Sequence, residues 1–299
     1  MEKPKIIVIL GQTSTGKSDF AVEIAQKYNS EIISADSRQV YKGMDLGTGK
    51  ITKKEMCGVP HYLLDVVSPL KTFSVSDFKK LADKKIEEIL KKQKVPIICG
   101  GTGFYIDTII NGTVYPEVIP DKELRVKLSL KTTTQLFDIL KKLDSERAES
   151  IDKNNTVRLI RAIEIAKTLG KVPKMEINSN YNVLKIGLTL PSEILKERIR
   201  NRLLSRIKKG MLNEIKKLHD MGLTWKRMNE LGLEYRYGAL YLQGKSTKEE
   251  MIEKICTETW HYAKRQNTWF KRDKNTIWIN PTNKIDKDEA FKEISNFLK

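Results

Sequence analysis

Short apolar runs alternate with longer amphipathic stretches along most of this chain. The apolar runs lie at residues 6–10, 31–35, 95–99, 183–190 and 276–279. Continuous apolar runs of this length are typical of strands buried on both faces, as in a parallel sheet. Between two of them, residues 76–92 place apolar side chains on one helical face and lysines on the other. The alternation predicts an α/β fold with a doubly wound parallel sheet.

The middle of the chain departs from this alternation. Residues 116–174 contain no run suited to a strand, whereas residues 134–143 and 156–169 carry apolar side chains at helical spacing. We therefore expect a helical domain inserted between strands of the core. The predicted domains are residues 1–114 as the first part of the α/β core, 115–180 as the helical insertion, and 181–299 as the second part of the core, with basic helices.

An octapeptide of the form G-x-x-x-x-G-K-S directly follows the first apolar run. It consists of Gly11, Gln12, Thr13, Ser14, Thr15, Gly16, Lys17 and Ser18. Residues 19–28 behind it have helical spacing, so strand, loop and helix occur in the order of a phosphate-binding loop. There, backbone N–H groups and the positive end of a helix surround a polyphosphate, Lys17 adds a point charge, and Ser18 offers a hydroxyl to Mg²⁺. The pattern predicts a P-loop NTPase-like core that binds a di- or triphosphate.

The charge of the chain indicates a polyanionic partner. Fifty-five Lys and Arg residues against 38 Asp and Glu give a formal net charge of +17 on 299 residues. Such an excess attracts nucleic acid and steers it to the protein surface. The alternative, a lysine-rich surface that serves solubility, stays open because many lysines occur in pairs at predicted exposed helix positions.

Cysteine usage and the first residues indicate a cytoplasmic protein without a membrane anchor. Cys57, Cys99 and Cys256 are far apart and lack C-x-x-C spacing, so neither a disulfide framework nor a zinc site is expected. The apolar run at residues 6–10 is too short for a signal peptide or a membrane span.

Two of the predicted strands end in polar residues that can face a ligand. Asp36 and its neighbours Ser37, Arg38 and Gln39 follow the second run, and Thr102 lies in a glycine-rich turn after the third. Ligands of open α/β sheets bind at the carboxyl edge of the strands. There the Asp36 carboxylate can accept a proton or a hydrogen bond, hold Mg²⁺ through water, or only cap the next helix.

Basic residues recur at helical spacing in the second half of the chain. Arg198, Arg202 and Arg206 follow one another at i, i+4 steps and form a stripe that suits phosphates, although a solvated helix face explains each one equally well. Arg158 and Arg161 project together from the insertion. Residues 262–272 mix basic and aromatic side chains, which suits either RNA stacking or an amphipathic core helix.

Taken in order, these segments resemble the tRNA dimethylallyltransferase family, also called tRNA isopentenyltransferases. The matching motifs extend over nearly the whole chain: GQTSTGKS, SADSRQVYKGMDLGTGK, VPHYLLD, GGTGFYI, NNTVRLIRAIEIAKTLGK, ERIRNRLLSRIKKGMLNEI and YAKRQNTWF. The resemblance implies transfer of a dimethylallyl group from its diphosphate to the exocyclic amine of the adenine that follows the anticodon, in tRNAs reading codons that begin with U. Pyrophosphate is the product that leaves.

The resemblance also assigns roles to individual residues. It implies that Asp36 is the general base or hydrogen-bond acceptor for the amine, that Lys17, Arg202 and Ser18 with Mg²⁺ stabilise the leaving diphosphate, and that Thr13 and Thr102 contact substrate near the reaction centre. The residues that it assigns to tRNA binding are Asp36, Ser37, Arg38, Gln39, Thr102, Val157, Arg158, Leu159, Ile160 and Arg161. We expect the insertion to grip the anticodon stem, and the protein to act as a monomer.

Three positions depart from the pattern of the family. Gln12 replaces the usual proline, residues 231–235 read LGLEY in place of an isoleucine-glycine-tyrosine pattern, and Trp260 stands where a basic residue is common. None of them is Asp36, Lys17, Ser18 or Arg202, so we expect catalysis to be intact and the affinity for tRNA or the choice of tRNA to differ.

Three other functions remain as alternatives. An adenylate isopentenyltransferase shares the loop and the base but acts on a free nucleotide, and the insertion and the positive charge argue against it. A P-loop kinase uses Asp36 to activate a hydroxyl. An RNA-binding module without catalysis retains the loop with no function.

Overall fold

A six-stranded, wholly parallel sheet forms the centre of the computed structural model, which describes residues 2–174 and 178–299. Its strands are β1 (Lys5–Gly11), β2 (Glu31–Ser34), β3 (His61–Tyr62), β4 (Pro96–Cys99), β5 (Asn182–Leu188) and β6 (Ile277–Ile279). They lie in the order β3-β2-β4-β1-β5-β6. The predicted α/β fold is confirmed, and the five predicted strands are present. Strand β3 was missed, because two residues are too few to produce an apolar run.

Thirteen helices complete the described part of the chain. The first three are α1 (Lys17–Lys27), α2 (Val75–Lys91) and α3 (Gly103–Ile110). The next four are α4 (Lys122–Ser129), α5 (Thr133–Leu143), α6 (Ser145–Ser150) and α7 (Thr156–Leu169). The last six are α8 (Ser192–Lys208), α9 (Met211–Asp220), α10 (Trp225–Leu231), α11 (Leu233–Leu242), α12 (Lys248–Phe270) and α13 (Lys284–Leu298). No helix among these described residues is both long and apolar enough to span a bilayer.

Strand β1 lies between β4 and β5 and is buried from its second residue to its last. Ile6, Ile7, Val8 and Ile9 are all fully buried. Side chains of a strand alternate between the two faces of the sheet, so a strand covered on both faces needs apolar residues at every position. This requirement explains the unbroken apolar run that precedes the phosphate-binding loop.

Helices cover both faces of the sheet. On one face, Phe20 and Ile24 of α1 and Ile294 of α13 pack against Ile7 and Ile9. On the other face, the core contains side chains of α2, α3 and α12, among them Phe78, Ile86, Ile109 and Phe270. The carboxyl ends of all six strands point to one edge because the strands are parallel. That edge collects the loops after β1, β2 and β4.

A separate helical layer packs on the segment that follows β2. Helices α9 to α12 bury Ile215, Leu231 and Tyr235 together with Val40 and Met44. This cluster holds residues 40–44 and thereby determines where the next turn begins.

The chain divides into two compact units, Met1–Asn111 with Ser179–Lys299, and Gly112–Asn178. The smaller unit contains α4 to α7 around its own core, in which Leu136, Leu140 and Leu159 are buried. Its buried Glu164 carboxylate accepts two hydrogen bonds from Arg125, at 2.7 Å each, and one from Arg161 at 3.3 Å. The cations therefore compensate the charge of this buried carboxylate.

A buried carboxylate links the strands at the β3 edge of the sheet. Glu31 of β2 accepts hydrogen bonds from Tyr62 at 2.8 Å, Lys92 at 2.9 Å and Lys94 at 3.1 Å. Burial by itself would raise the pKa of Glu31, but these hydrogen bonds outweigh it and lower the pKa to about 2. Strands β2 and β3 and the entry to β4 are thus tied together at the start of β2.

We expect Glu31→Gln to lower the free energy of unfolding at pH 7 by roughly 2 kcal/mol, because the neutral amide loses the interactions that lower the pKa of Glu31. This figure is smaller than the full pKa shift implies, since Lys92 is partly exposed to solvent. The folded pKa lies below the unfolded one, so the stabilisation is present above about pH 4.5 and is lost towards pH 2. Urea unfolding of both proteins at several pH values measures this. A stability difference that stays constant down to pH 3 would contradict the assignment.

Candidate active site

A cavity of about 490 Å³ opens at the carboxyl edge of the sheet. The phosphate-binding loop forms one side of it, the end of β2 and residues 48–51 form another, and side chains of α8 and α12 complete it. The polar residues that line it include Thr13, Ser14, Lys17, Ser18, Asp19, Ser34, Asp36, Gln39, Thr48, Glu55, His61, Arg198, Arg202, Tyr262 and Gln266. Most of the residues of the larger unit that the sequence predicts for binding or catalysis therefore line this one cavity.

The backbone of residues 11–18 has the geometry of an anion-binding loop. Ser14 and Gly16 both have positive φ values, 64° and 93°, and α1 begins at Lys17. The first N–H groups of a helix have no partner within the helix, and a glycine N-cap supplies no side chain to satisfy them. A phosphate can occupy this position, where the helix dipole also favours negative charge.

Lys17 is held within the loop. Its ammonium donates to the carbonyl oxygen of Gln12 at 2.6 Å. Burial, together with the nearby Arg202, lowers the pKa of Lys17 to about 8, against the opposing influence of Asp36. An anion bound in the loop stabilises the protonated form, so diphosphate binding and protonation of Lys17 are coupled.

Ser18 suits the magnesium role that the sequence suggests. Its side chain is exposed at the start of α1 and lines the cavity. The described residues contain no group of three or more His, Cys, Asp or Glu side chains able to hold a metal ion. Mg²⁺ in phosphate sites commonly takes one or two protein oxygens and completes its shell with phosphate oxygens and water. The donor set present here fits that type of site.

Asp36 is half-buried, lines the cavity and is fixed by its own turn. Its Oδ1 accepts a hydrogen bond from the backbone N–H of Arg38 at 2.8 Å. The described residues between β2 and α2 contain no helix, so the helix-capping role that the sequence left open is not present, and this hydrogen bond closes a turn instead. It occupies one carboxylate oxygen and orients the group at the cavity wall, which is compatible with a second, chemical role.

Thr102 joins the turn after β4 to the turn after β2. Its Oγ1 accepts a hydrogen bond from the backbone N–H of Ser37 at 3.0 Å and lies 3.4 Å from the Ser37 hydroxyl. Thr102 thus holds the residue next to Asp36, and it does not itself line the cavity.

The arginine stripe of α8 divides into two roles. Arg198 and Arg202 line the cavity, and Arg202 donates to the Ser14 hydroxyl at 3.1 Å. Reduced solvation and the neighbouring Arg206 lower the pKa of Arg202, but a guanidinium group remains cationic at neutral pH. Arg206 donates instead to the carbonyl oxygen of Gly47 and to Glu234. Arg206 therefore stabilises the turn that contains Gly47. Its guanidinium is bound within the protein, so the expected role in binding a phosphate does not apply to Arg206.

Three further groups near the cavity stay neutral at physiological pH. Burial raises the pKa of the Cys99 thiol and of the Tyr262 phenol to about 12 each. Burial also lowers the pKa of His61 below its usual value. None of the three adds charge to the site at neutral pH.

Helix α12 holds the phosphate-binding loop in place. Gln266 accepts a hydrogen bond from the backbone N–H of Thr13 at 2.8 Å and donates to the carbonyl oxygen of Gly101 at 2.8 Å. Gln12, the residue that replaces the usual proline, donates to the carbonyl oxygen of Ala263 at 3.2 Å. A Cβ atom on Gly101 would lie 2.4 Å from Gln266 Nε2, so this close approach requires glycine.

The remaining predicted contacts to tRNA lie on two separate surfaces. Arg38 is exposed beside the cavity, and Gln39 lines it and donates to the carbonyl oxygen of Gly49 at 3.4 Å. In the smaller unit, Val157 and Arg158 are exposed and Ile160 is partly exposed. Arg161 is partly exposed, and its guanidinium donates to Glu164 and to the carbonyl oxygen of Val118.

Leu159 is a correction to the predicted set. Its side chain is completely buried in the core of the smaller unit. A side chain without exposed surface cannot contact RNA, so Leu159 supports the fold of this unit. The prediction included every residue of the motif from Val157 to Arg161, although only one face of a helix is available to a ligand.

Sequence reasoning gave no individual role to Gln266, Glu214 and Tyr235. Gln266 lies in the YAKRQNTWF motif, which indicated a basic aromatic helix but not a polar contact to the loop. Its position among the buried residues of α12, three after Ala263 and four before Phe270, is the signal that could have indicated a buried amide with partners. Glu214 and Tyr235 have no comparable local signal.

Comparisons with known proteins show which proteins this chain is similar to. The sequence profile described as IPP transferase matches residues 39–273. The chain is 44% identical to tRNA dimethylallyltransferase 2 of Treponema denticola, over 93% of this chain and 96% of that protein. It is 42% identical to the tRNA dimethylallyltransferase of Acetivibrio thermocellus, with 96% and 94% covered.

Solved structures show the same similarity. The tRNA isopentenylpyrophosphate transferase of Bacillus halodurans aligns with a TM-score of 0.74 at 38% identity and covers 99% of this chain and 96% of that one. A eukaryotic dimethylallyltransferase acting on tRNA aligns with a TM-score of 0.81 at 28% identity and covers 97% and 78%.

The coupling at Lys17 predicts that diphosphate affinity falls as pH rises above about 8. The dissociation constant of an unreactive saturated alkyl diphosphate should rise by up to about tenfold per pH unit there, because neutral Lys17 no longer attracts the anion. The ligand itself is fully ionised in this range, since its last pKa is about 6. Titration calorimetry from pH 7 to 9 measures this, with Lys17→Arg as the matched control that stays charged. Equal pH profiles for the two proteins would contradict the coupling.

We expect Gln266→Glu to weaken binding of the same alkyl diphosphate by about tenfold, because a carboxylate oxygen replaces the N–H donor to the Gly101 carbonyl and repels it. The exposed residue Lys264 lies on the same helix, and Lys264→Gln should leave this affinity unchanged. Unaltered binding by Gln266→Glu at a normal melting temperature would show that the bridge does not position the loop.

Proposed function

The chain belongs to the tRNA dimethylallyltransferase (IPP transferase) family, and we propose how its own residues carry out the reaction of that family. The protein transfers a dimethylallyl group to the exocyclic amine of adenine 37 in tRNA, next to the anticodon. The carbon–oxygen bond of the allylic diphosphate breaks, a carbon–nitrogen bond forms, the amine loses one proton, and pyrophosphate leaves. The observation that carries our assignment of residues is the single cavity lined by the phosphate-binding loop, Asp36 and Arg202.

The donor diphosphate is proposed to bind in the loop of residues 11–18. Lys17 and the first amides of α1 can surround one phosphate, and Arg202 contacts the loop through its hydrogen bond to Ser14. Arg198 lines the same end of the cavity. Two arginines and one lysine thus face a ligand with about three negative charges, and the ion pairs are charge-assisted.

Departure of the diphosphate is the step that these cations assist. As the allylic carbon–oxygen bond breaks, negative charge grows on the bridging oxygen while the carbon gains cationic character. Fixed positive groups at the oxygen stabilise that charge more in the transition state than in the bound donor. Lys17 and Arg202 are proposed for this role.

Magnesium fits the same place. Ser18 would hold it together with donor phosphate oxygens and water. The ion would supply further neutralisation of the charge on the leaving diphosphate.

Asp36 is proposed as the group that accepts the proton of the adenine amine. An exocyclic amine is a poor nucleophile, and removing a proton during attack raises its reactivity. The hydrogen bond from Arg38 holds Oδ1, so the carboxylate keeps a fixed orientation at the cavity wall. Thr102 contributes by holding Ser37, and Thr13 lines the cavity as part of the loop.

The substrate RNA is proposed to contact both units of the chain. Adenine 37 must leave its stack to reach the cavity, which costs a few kcal/mol that contacts to the flipped base offset. Ser37, Arg38 and Gln39 lie beside the cavity and suit this part of the RNA. Val157, Arg158, Ile160 and Arg161 of the smaller unit are proposed to hold the anticodon stem, and the net charge of +17 favours both contacts.

The proposal also covers the choice of tRNA, the oligomeric state and the cellular location. The substrates are tRNAs that read codons beginning with U, and the enzyme acts as a cytoplasmic monomer. The adenylate isopentenyltransferase and kinase alternatives explain neither the helical unit nor a basic surface, whereas a tRNA substrate accounts for both.

We expect Asp36→Asn to lower the turnover number by about 10² to 10⁴-fold while tRNA affinity stays unchanged. Asparagine keeps an oxygen that accepts from the Arg38 amide, so the turn is preserved, but it cannot accept a proton. Single-turnover transfer of labelled dimethylallyl groups into unmodified tRNA measures the chemical step, and filter binding measures affinity. Loss of tRNA binding with a normal rate of transfer from bound complex would contradict a chemical role for Asp36.

A further inference from the structure

A turn at residues 45–49 forms part of the cavity wall and is anchored by one carboxylate. The backbone N–H groups of Asp45 and Leu46 donate to Oε2 of Glu214 at 2.9 and 2.7 Å, and that of Gly47 donates to Oε1 at 3.0 Å. Three successive amides that converge on one anion form an arrangement normally seen around bound anions. Here the protein supplies the anion itself, from α9.

Tyr235 completes the anchor. Its hydroxyl donates to Oε1 of Glu214 at 2.7 Å, and its side chain is fully buried. A Cβ atom on Gly47 would lie 2.5 to 2.6 Å from the Tyr235 ring, so the turn rests directly on that ring. Each oxygen of the Glu214 carboxylate therefore accepts two hydrogen bonds.

The opposite side of the turn is held by a cation. Arg206 donates to the carbonyl oxygen of Gly47 at 3.0 Å and forms an ion pair with Glu234 at 3.1 Å, and both side chains are largely buried. Glu234 and Tyr235 both belong to the LGLEY segment that departs from the pattern of the family. The amides of the turn thus face a carboxylate, and its carbonyl groups face a guanidinium.

The position of this turn determines the space beside Arg202. Thr48 and Gly49 line the cavity, and Arg202 Nη2 lies 3.2 Å from the place of a Cβ atom on Gly49. Because residue 49 is a glycine, the backbone there leaves room for the guanidinium proposed to bind the donor. A displacement of the turn would therefore change the space available to Arg202.

We propose that Glu214 is a positioning residue of the donor site: it fixes the turn at residues 45–49 and thereby holds Arg202 in place to bind the diphosphate. This inference rests on the proposed donor site. Glu214 lies outside the set that lines the cavity, so it acts through the turn and touches no substrate.

The test is Glu214→Gln. If the NH₂ group of the new amide takes the place of Oε2, it faces the N–H groups of Asp45 and Leu46, and two of the four hydrogen bonds are lost. If it takes the place of Oε1, it can donate to the Tyr235 hydroxyl, but it faces the N–H of Gly47 and that hydrogen bond is lost. We expect kcat/KM for dimethylallyl diphosphate to fall at least about tenfold with unchanged affinity for tRNA. Hydrogen exchange of the amides of residues 45–47 should accelerate at the same time.

Two further variants separate positioning from a loss of stability. Tyr235→Phe keeps the ring under Gly47 but removes one donor, and we expect a smaller loss in the same direction, which the double variant with Glu214→Gln does not enlarge. Asp220→Asn changes an exposed carboxylate at the end of the same helix and should behave as the wild type.

Wild-type donor kinetics and unchanged amide exchange in Glu214→Gln would overturn the inference, as would a lowered melting temperature with normal kinetics. Inactivity of the wild-type protein would instead contradict the proposed function. The exchange of the three amides reports on Glu214 independently of activity.

Discussion

The site depends on one constraint, the parallel alignment of β1, β2 and β4 at the centre of the sheet. Because these strands run in the same direction, the phosphate-binding loop, the turn with Asp36 and the glycine-rich turn with Thr102 all leave from one edge. Hydrogen bonds then join these loops: Ser37 N–H donates to Thr102, and Gln266 of α12 accepts from Thr13 N–H and donates to the Gly101 carbonyl oxygen. A donor anion and an acceptor base can therefore occupy neighbouring positions without any large movement of the core.

The electrostatics of the cavity follow from where the charges are attached. Lys17 and Arg202 lie on different helices and are proposed to bind the diphosphate, whereas Asp36 follows β2. Burial lowers the pKa of Lys17, which makes the charge of this lysine responsive to a bound anion. Cations and a carboxylate in the same cavity suit an allylic transfer, because the leaving group gains negative charge while the nucleophile loses a proton.

Much of the fold and part of the candidate site could be predicted from local sequence. Five strands, the phosphate-binding loop and the place of Asp36 follow from short apolar runs and from residues next to them, because a strand buried on both faces and a loop at its end leave a local signature. The long-range contacts could not be predicted. Gln12 and Ala263 are 251 positions apart, and the contact of Glu214 with residues 45–47 requires knowledge of how α9 packs on the turn. The same limit applies to Arg206 and Leu159, since periodicity shows that helical residues share a face but not which partner covers that face.

The most direct test of the account is a structure of the protein with pyrophosphate, Mg²⁺ and an anticodon stem-loop RNA. We expect pyrophosphate within hydrogen-bond distance of Lys17, Arg202 and the first amides of α1, and the exocyclic amine of adenine 37 within hydrogen-bond distance of the Asp36 carboxylate. A complex in which pyrophosphate occupies the loop while adenine 37 remains stacked in the RNA, or lies away from Asp36, would contradict the claim that one edge of the sheet holds both reactants.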